Sequence, residues 1–262
     1  MNRTLVFLGP SLPISRARTV LPEASYRPPI RRGDLTAALE EHPAIVGIID
    51  GQFLQSLAVS PLEIFAALGA GTIVLGAASM GALRAVEMSG FGMIGVGTIF
   101  RWFRDARLVA EDELAVAYDA ETGAALSDAL VNMRYAFSHA VAEHVICPET
   151  RRVLIRLARG VYFPDRTYHS ILRLADGTVP ADELSRLRLW LQRRCPDLKA
   201  DDALRLLRLA GRLSKPRANV VSEPREPPSR SALRRPSRSE PTKRLARERV
   251  GESEGRSREQ TQ

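Results

Sequence analysis

At 262 residues and 28.9 kDa, with 45% apolar residues, the chain is long enough for one large or two small domains and can build a core, which excludes disorder throughout. A net charge of +8 and a pI near 10.1 would suggest a nucleic-acid binder only if the charge lay on a folded surface. It does not: residues 214–262 hold 13 Lys+Arg against 7 Asp+Glu, a net +6, leaving +2 for residues 1–213, so nucleic acid is not an expected partner. Among the basic residues only Lys199, Lys215 and Lys243 are lysine, a skew that by itself carries no functional meaning.

Thr4–Gly9 is an apolar, β-branched run closed by Gly-Pro, the pattern of a buried strand that runs into a loop. Pro22, Pro28 and Pro29 predict irregular chain over residues 10–30, after which Asp34 is placed to cap a helix over Leu35–Leu39. Ala44–Ile49 is a second buried strand, closed by Asp50-Gly51. Ser60-Pro61-Leu62-Glu63 is a strong helix start, with serine as cap, proline in the first turn and glutamate three residues on. Thr72–Leu75 predicts a third strand, and a helix begins at Ser79 or Met80 and runs through Met88. The uncharged stretch from Ile64 to Leu83 is long enough to span a bilayer, but four glycines interrupt it, and it reads as helix end, turn, strand and helix start. No membrane partner follows. The alternation of strands buried on both faces with helices predicts an α/β half, a parallel sheet of Rossmann or flavodoxin type with flanking helices.

Beyond Gly97 the pattern is helical, with apolar residues at helical spacing over Ile99–Arg107, Ser127–Val145, Thr150–Ala158, Ala181–Arg194 and Asp201–Leu213. The expected organisation is an α/β core over residues 1–120, a helical part over 121–213, and a basic Ser/Pro/Arg tail over 214–262 that is too poor in apolar side chains to order itself.

Cys147 and Cys195 cannot make a disulfide framework, which fits a reducing cytoplasm, and the amino-terminal apolar run is too short for a secretory signal. His139, Glu143 and His144 do not converge on one helix face, so neither a metal nor a cofactor is expected. Gly92–Gly97 follows a helix rather than a strand and lacks the lysine of a P-loop, which argues against a nucleotide site. Cys147 reads as a small buried residue rather than a sulfur carrier.

The chemistry concentrates in Gly76-Ala-Ala-Ser79-Met80-Gly81-Ala-Leu-Arg84-Ala-Val-Glu87, at the carboxyl end of a buried strand and the start of a helix, the ligand-binding edge of an open α/β sheet. Ala77-Ala-Ser79-Met-Gly81 has the small-x-Ser-x-small form of a nucleophile elbow, in which the amide after the serine can stabilise an oxyanion. The simpler alternative makes Ser79 a helix cap and the small residues a packing device. Asp50 could orient a reacting group or cap a turn, and Ser11 after the first strand could supply a second hydroxyl or belong to a plain loop. Arg84 could anchor a carboxylate or pair with Glu87 on the helix surface. Ser79, Arg84 and Asp50 form the candidate catalytic set, and Gly76, Met80, Gly81 and Ser11 the candidate substrate-binding set.

The succession Ile49-Asp50-Gly51-x-Phe53, Val59-x-Pro61-x-Glu63-Ile64, Gly76 to Glu87, Gly92-Met-x-Gly95-Val-Gly97-x-Ile99 and Glu111-Asp112-Glu113-x-Ala115-Val116 resembles the core of TfuA-like proteins, over about residues 1–120. Glu113-Leu-Ala-Val116 departs mildly from the family's longer acidic block, and Phe163-Pro-Asp-Arg166-Thr-Tyr168 resembles a further block in the helical part. The resemblance implies a protein that works beside a YcaO enzyme, which activates a peptide-backbone amide for replacement of its oxygen by sulfur. Family members are associated with trifolitoxin-like modified peptides and with thioglycine in methyl-coenzyme M reductase. The implied partners are a YcaO-type cyclodehydratase, a thiocarboxylated ThiS-like sulfur carrier and a precursor peptide. The implied activity is hydrolysis of the thiocarboxylate to release sulfide. Ser79 would then act as nucleophile or oxyanion-side donor, Arg84 as carboxylate anchor and Asp50 as orienter. A non-catalytic adaptor that helps YcaO engage its peptide is the alternative.

Overall fold

A computed structural model describes residues 3–52, 57–108 and 110–215. The basic tail expected to be disordered lies, beyond residue 215, outside the described residues, as do Phe53 and its three followers.

Along the described chain, β1 (Thr4–Phe7), α1 (Ile14–Val20), β2 (Ser25–Arg27), α2 (Asp34–Leu39), β3 (Ile45–Ile48), α3 (Pro61–Gly69), β4 (Ile73–Ala77), α4 (Met80–Met88), β5 (Ile94–Val96) and α5 (Gly97–Arg104) alternate strand and helix. The five strands pair in parallel in the order β2-β1-β3-β4-β5. This is the flavodoxin-type order, in which the chain reverses direction across the sheet between β1 and β3 and opens a crevice at their carboxyl ends. The helical half follows as α6 (Leu130–Ala142), α7 (Pro148–Gly160), α8 (Tyr168–Leu174), α9 (Ala181–Arg193) and α10 (Leu198–Ser214).

Side chains alternate across the strands, so each strand feeds two cores. Leu5, Phe7, Val46, Ile48 and Val74 pack on one face with Leu35, Ile64, Ala82 and Ile99 from α2 to α5. Val6, Leu8, Ile45, Leu75 and Ala77 pack on the other with Ala17 of α1 and Ala203, Leu206, Leu207 and Ala210 of α10. The last helix thus covers the second face of the sheet. Gly47 makes that approach possible, because a Cβ there would lie 2.8 Å from Leu206 Cδ2. Helices α6 to α9 have a core of their own, built on Leu130, Phe137, Leu154, Ile171 and Leu187.

The join between the halves is polar and buried. Glu113, 3% exposed, takes both Arg134 Nε and Nη2 at 2.5 and 2.9 Å. Arg166, 2% exposed, donates to the carbonyls of Ala158, Val161 and Asp112. Asp112 and Arg166, 54 positions apart in sequence, therefore meet through a guanidinium that also satisfies two carbonyls at the end of α7.

Several expectations are corrected. Residues 10–30 are not irregular: α1 and β2 form there, between the prolines rather than through them. Asp34 does not cap α2; Gly33 occupies the cap position with φ of 91°, and Asp34 Oδ2 accepts from the Arg31 amide. Gly92–Gly97 contains β5, a strand too short and glycine-rich to show in its composition. By contrast Ser60 and Glu63 make the reciprocal capping box, and Ile64–Leu83 divides into helix end, turn, β4 and helix start. Among the described residues no helix is long and apolar enough to cross a membrane.

Candidate functional site

The carboxyl ends of β1, β3 and β4 meet at the reversal point. Asp50, two residues past the end of β3 and 1% exposed, spans the β1/β3 crevice. Its Oδ2 accepts from the amides of Gly9 at 2.9 Å and Ser11 at 3.1 Å, and its Oδ1 accepts from Ser11 Oγ at 2.6 Å. Three donors on one carboxylate make a charge-assisted clamp on the loop after β1. Gly9 is required in that loop because a Cβ would run into the Pro29 ring.

At the end of β4 the chain turns sharply into α4. Ala78 has φ of 64°, a left-handed conformation that strains a residue with a Cβ, and it is fully buried. The left-handed residue is thus the one before the serine, not the serine itself. Ser79 occupies the cap position, 3% exposed, yet its hydroxyl accepts no hydrogen bond from the helix amides. The Met80 amide, first in the helix, donates to no described group, and the first turn carries no acidic side chain. A hydroxyl without a capping bond and an open amide thus stand together at the positive end of a helix dipole. By contrast the start of α5 is plugged by the chain's own Asp202, whose Oδ2 accepts from the Ile99 amide at 2.7 Å.

The remaining sequence candidates have plainer settings. Gly76 and Gly81 pack backbone against backbone: a Cβ on Gly76 would strike the Gly81 carbonyl, and one on Gly81 the Ile48 carbonyl. Met80 presses its side chain on Gly51, so both neighbours of Asp50 touch the start of α4, the other being Ile49, whose carbonyl accepts from the Gly81 amide at 3.3 Å. Arg84 turns away, donating through Nε to the Val59 carbonyl at 2.8 Å and through Nη1 to both Glu87 oxygens. Cys147 caps α7, its sulfur accepting from the Thr150 amide. Among the described residues no three His, Cys, Asp or Glu side chains gather as a metal site.

One residue was missed. Lys199, in the first turn of α10, is 3% exposed and gives its Nζ to the Leu114 carbonyl at 2.9 Å. Burial pulls its ammonium below the ordinary lysine value, against the opposing fields of Asp50 and Asp197. Helix α10 brings it there: Asp202 meets the end of β5 at Gly97, and Leu206 sits over Gly47 in mid-strand, so the turn before Asp202 lies at the carboxyl edge. A signal existed in the sequence. In a chain that uses arginine almost throughout, this lysine falls on the apolar stripe Lys199, Ala203, Leu206 and Ala210.

Residues 50–167 match the family model described as TfuA-like protein. The match begins at Asp50 and includes Ser79 and Arg84; Ser11 and Lys199 lie outside it. No curated protein matches the chain.

Proposed function

With residues 50–167 a TfuA-like region, we propose that the protein is the partner of a YcaO-type cyclodehydratase in peptide-backbone thioamidation, acting in the cytoplasm. In this reading it releases sulfide from the C-terminal thiocarboxylate of a ThiS-like carrier, and the sulfide replaces the amide oxygen that YcaO activates on a precursor peptide. The observation that supports it is the pairing of Ser79 Oγ, not engaged in capping, with the open Met80 amide at the start of α4.

Ser79 Oγ attacks the thiocarboxylate carbon, and the developing oxyanion takes the Met80 N–H. The C–S bond then breaks, sulfide leaves, and water hydrolyses the Ser79 ester to return the carrier carboxylate. Asp50 acts at one remove: it holds the Gly9–Ser11 loop that walls the crevice. Arg84 can anchor a carboxylate only by exchanging its pairing with Glu87, and Gly76 and Gly81 serve by letting α4 sit close on the strands. The test is sulfide release by the purified protein from a thiocarboxylated carrier. Ser79→Ala is expected to lower it by a factor of about 100 or more, and undiminished release removes Ser79 from the mechanism.

A specific surface favours the adaptor reading as a second role. Phe65 and Phe91, 54% and 61% exposed, meet edge to face with centroids 5.7 Å apart, and Leu62, one turn earlier on α3, is 79% exposed. Exposed aromatics in contact with each other suit docking to a protein partner, here YcaO. Free sulfide separates the two roles: it bypasses a protein that only releases sulfide, and does not bypass an adaptor.

A further inference from the structure

A cavity of about 430 Å³, the size of a small-molecule pocket, lies in the helical half between α8 and α9, and none of its lining residues comes from the crevice around Ser79. Each helix turns one face to it. Tyr168, Leu172 and Arg173 stand at i, i+4 and i+5 on α8, and Arg188, Leu191 and Gln192 at i, i+3 and i+4 on α9. The Tyr168 hydroxyl oxygen is out of solvent and has no hydrogen-bond partner among the described residues. Its ring is held in place: it meets Phe137 edge to face with centroids 5.9 Å apart, and the Tyr168 amide donates to Asp128 Oδ2 at 3.0 Å. Cys195, on the same lining, offers only a thiol, a weak acceptor. A buried donor without an acceptor destabilises the fold, and a phenylalanine would make the same ring contact without it. The hydroxyl is therefore explained by something it binds.

The charges on the lining indicate the other end of the ligand. Arg188 is engaged by Asp176 at 2.9 Å, whereas the Arg173 guanidinium has neither an ion pair nor a hydrogen bond among the described residues. We propose that this cavity binds an N-acylated apolar amino acid, with its carboxylate on Arg173, its side chain between Leu172 and Leu191, and its acyl carbonyl accepting from Tyr168 Oη. Gln192, whose side chain has no partner among the described residues, carries an acceptor for the ligand's amide N–H. A plain fatty acid would satisfy Arg173 and the leucines but leave the Tyr168 hydroxyl unpaired. The spacing suits one residue of ligand. Tyr168 and Arg173 start about 7.5 Å apart along the helix, a span that a single amino-acid unit and the flexible arginine arm bridge. The same unit occurs as a free N-acyl amino acid and as the last residue of a peptide. Binding here is independent of sulfide release at Ser79, and no bond is made or broken.

The experiment is calorimetric titration of the full chain with N-acetyl-leucine, for which a Kd of about 1 mM or below is expected. N-acetyl-leucinamide, which lacks the charge, and 4-methylpentanoate, which lacks the acyl carbonyl, are each expected to bind about tenfold more weakly or worse. Arg173→Gln is expected to weaken N-acetyl-leucine by about tenfold. Tyr168→Phe is expected to weaken it by about fivefold while leaving 4-methylpentanoate unchanged, a split that loss of the fold would not produce. That variant removes only an unpaired hydroxyl, so it keeps the ring contact with Phe137. A peptide ending in leucine separates the two sources. Binding more than about tenfold tighter than N-acetyl-leucine assigns the site to a peptide C-terminus, and equal affinity assigns it to the free acyl amino acid; both support the site. No binding of N-acetyl-leucine or of the peptide at about 10 mM overturns the proposal. So does equal affinity for the acid and its amide, or an affinity for N-acetyl-leucine in either variant within about twofold of wild type.

Discussion

Asp50 holds Ser11 across the point where the sheet reverses, its Oδ1 accepting the serine hydroxyl at 2.6 Å while its Oδ2 takes the backbone amides of Gly9 and Ser11. The pair closes the crevice between β1 and β3 from within. A buried carboxylate that satisfies three donors is hard to remove, because each donor loses its only compensation for being out of water.

Asp50→Ala is accordingly expected to lower unfolding free energy by about 3 kcal/mol, and Ser11→Ala, which removes one donor and leaves the amide contacts, by about 1.5 kcal/mol. Urea denaturation of the two single variants and the double variant measures this. The double variant should cost less than the sum, since both changes break the same bond.

Gly81 and Gly69 make a paired test of close packing. A Cβ at Gly81 runs into the Ile48 carbonyl, which belongs to a sheet strand and cannot yield, so Gly81→Ala is expected to cost about 2 kcal/mol or more. A Cβ at Gly69, at the end of α3, meets nothing, and Gly69→Ala is expected to be neutral or stabilising by about 0.5 kcal/mol. Thermal unfolding separates the two signs.

Asp202 makes stability depend on pH. Burial raises its folded pKa above 3.8, against hydrogen bonds from the Ile99 and Thr98 amides and the charge of Arg205. The folded chain therefore holds this proton more tightly than the unfolded chain. The stability it contributes is full below the unfolded value and is lost as pH rises through the folded one. Asp202→Asn keeps an oxygen for the Ile99 amide and does not titrate. Its stability relative to wild type is expected to increase as pH rises upward from 3.8, as measured by urea midpoints at successive pH values.

Lys199 is expected to cost stability. Among the described residues its buried amine has one acceptor, the Leu114 carbonyl. Lys199→Met replaces a costly buried polar group by an apolar one of similar volume and is expected to raise the urea midpoint. A lower midpoint would show that the bond to Leu114 contributes more than the burial of the amine costs.

Much of the α/β half was legible because its signals are local. The apolar runs Leu5–Phe7 and Ile45–Ile48 are short and closed by Gly9-Pro10 and Asp50-Gly51, which favours buried strands, and Ser60 and Glu63 lie close enough in sequence to make their capping box unaided. β2 and β5 escaped notice because three-residue strands take their conformation from the neighbour they pair with, Ser25–Arg27 from β1 and Ile94–Val96 from β4. The same division runs through the site. Ser79 stands out by spacing alone, at a strand end where only small flanking residues fit. Whether its hydroxyl would be consumed by capping could not be read there, because that depends on the torsion angles of Ala78 and Ser79.

The sequence by itself determined the class of the fold, the strand end on which the candidate residues fall and the near-neutral charge of residues 1–213, all consequences of apolar periodicity, turn residues and counting. Only the tertiary structure decided what shares that end of the sheet. Lys199 lies 149 positions after Asp50 in a helix that reads as one more amphipathic segment, and the matched region ends at residue 167. It comes to the site because Gly47 and the small residues of α10 let that helix lie close on the sheet, a packing relation that neither segment expresses alone.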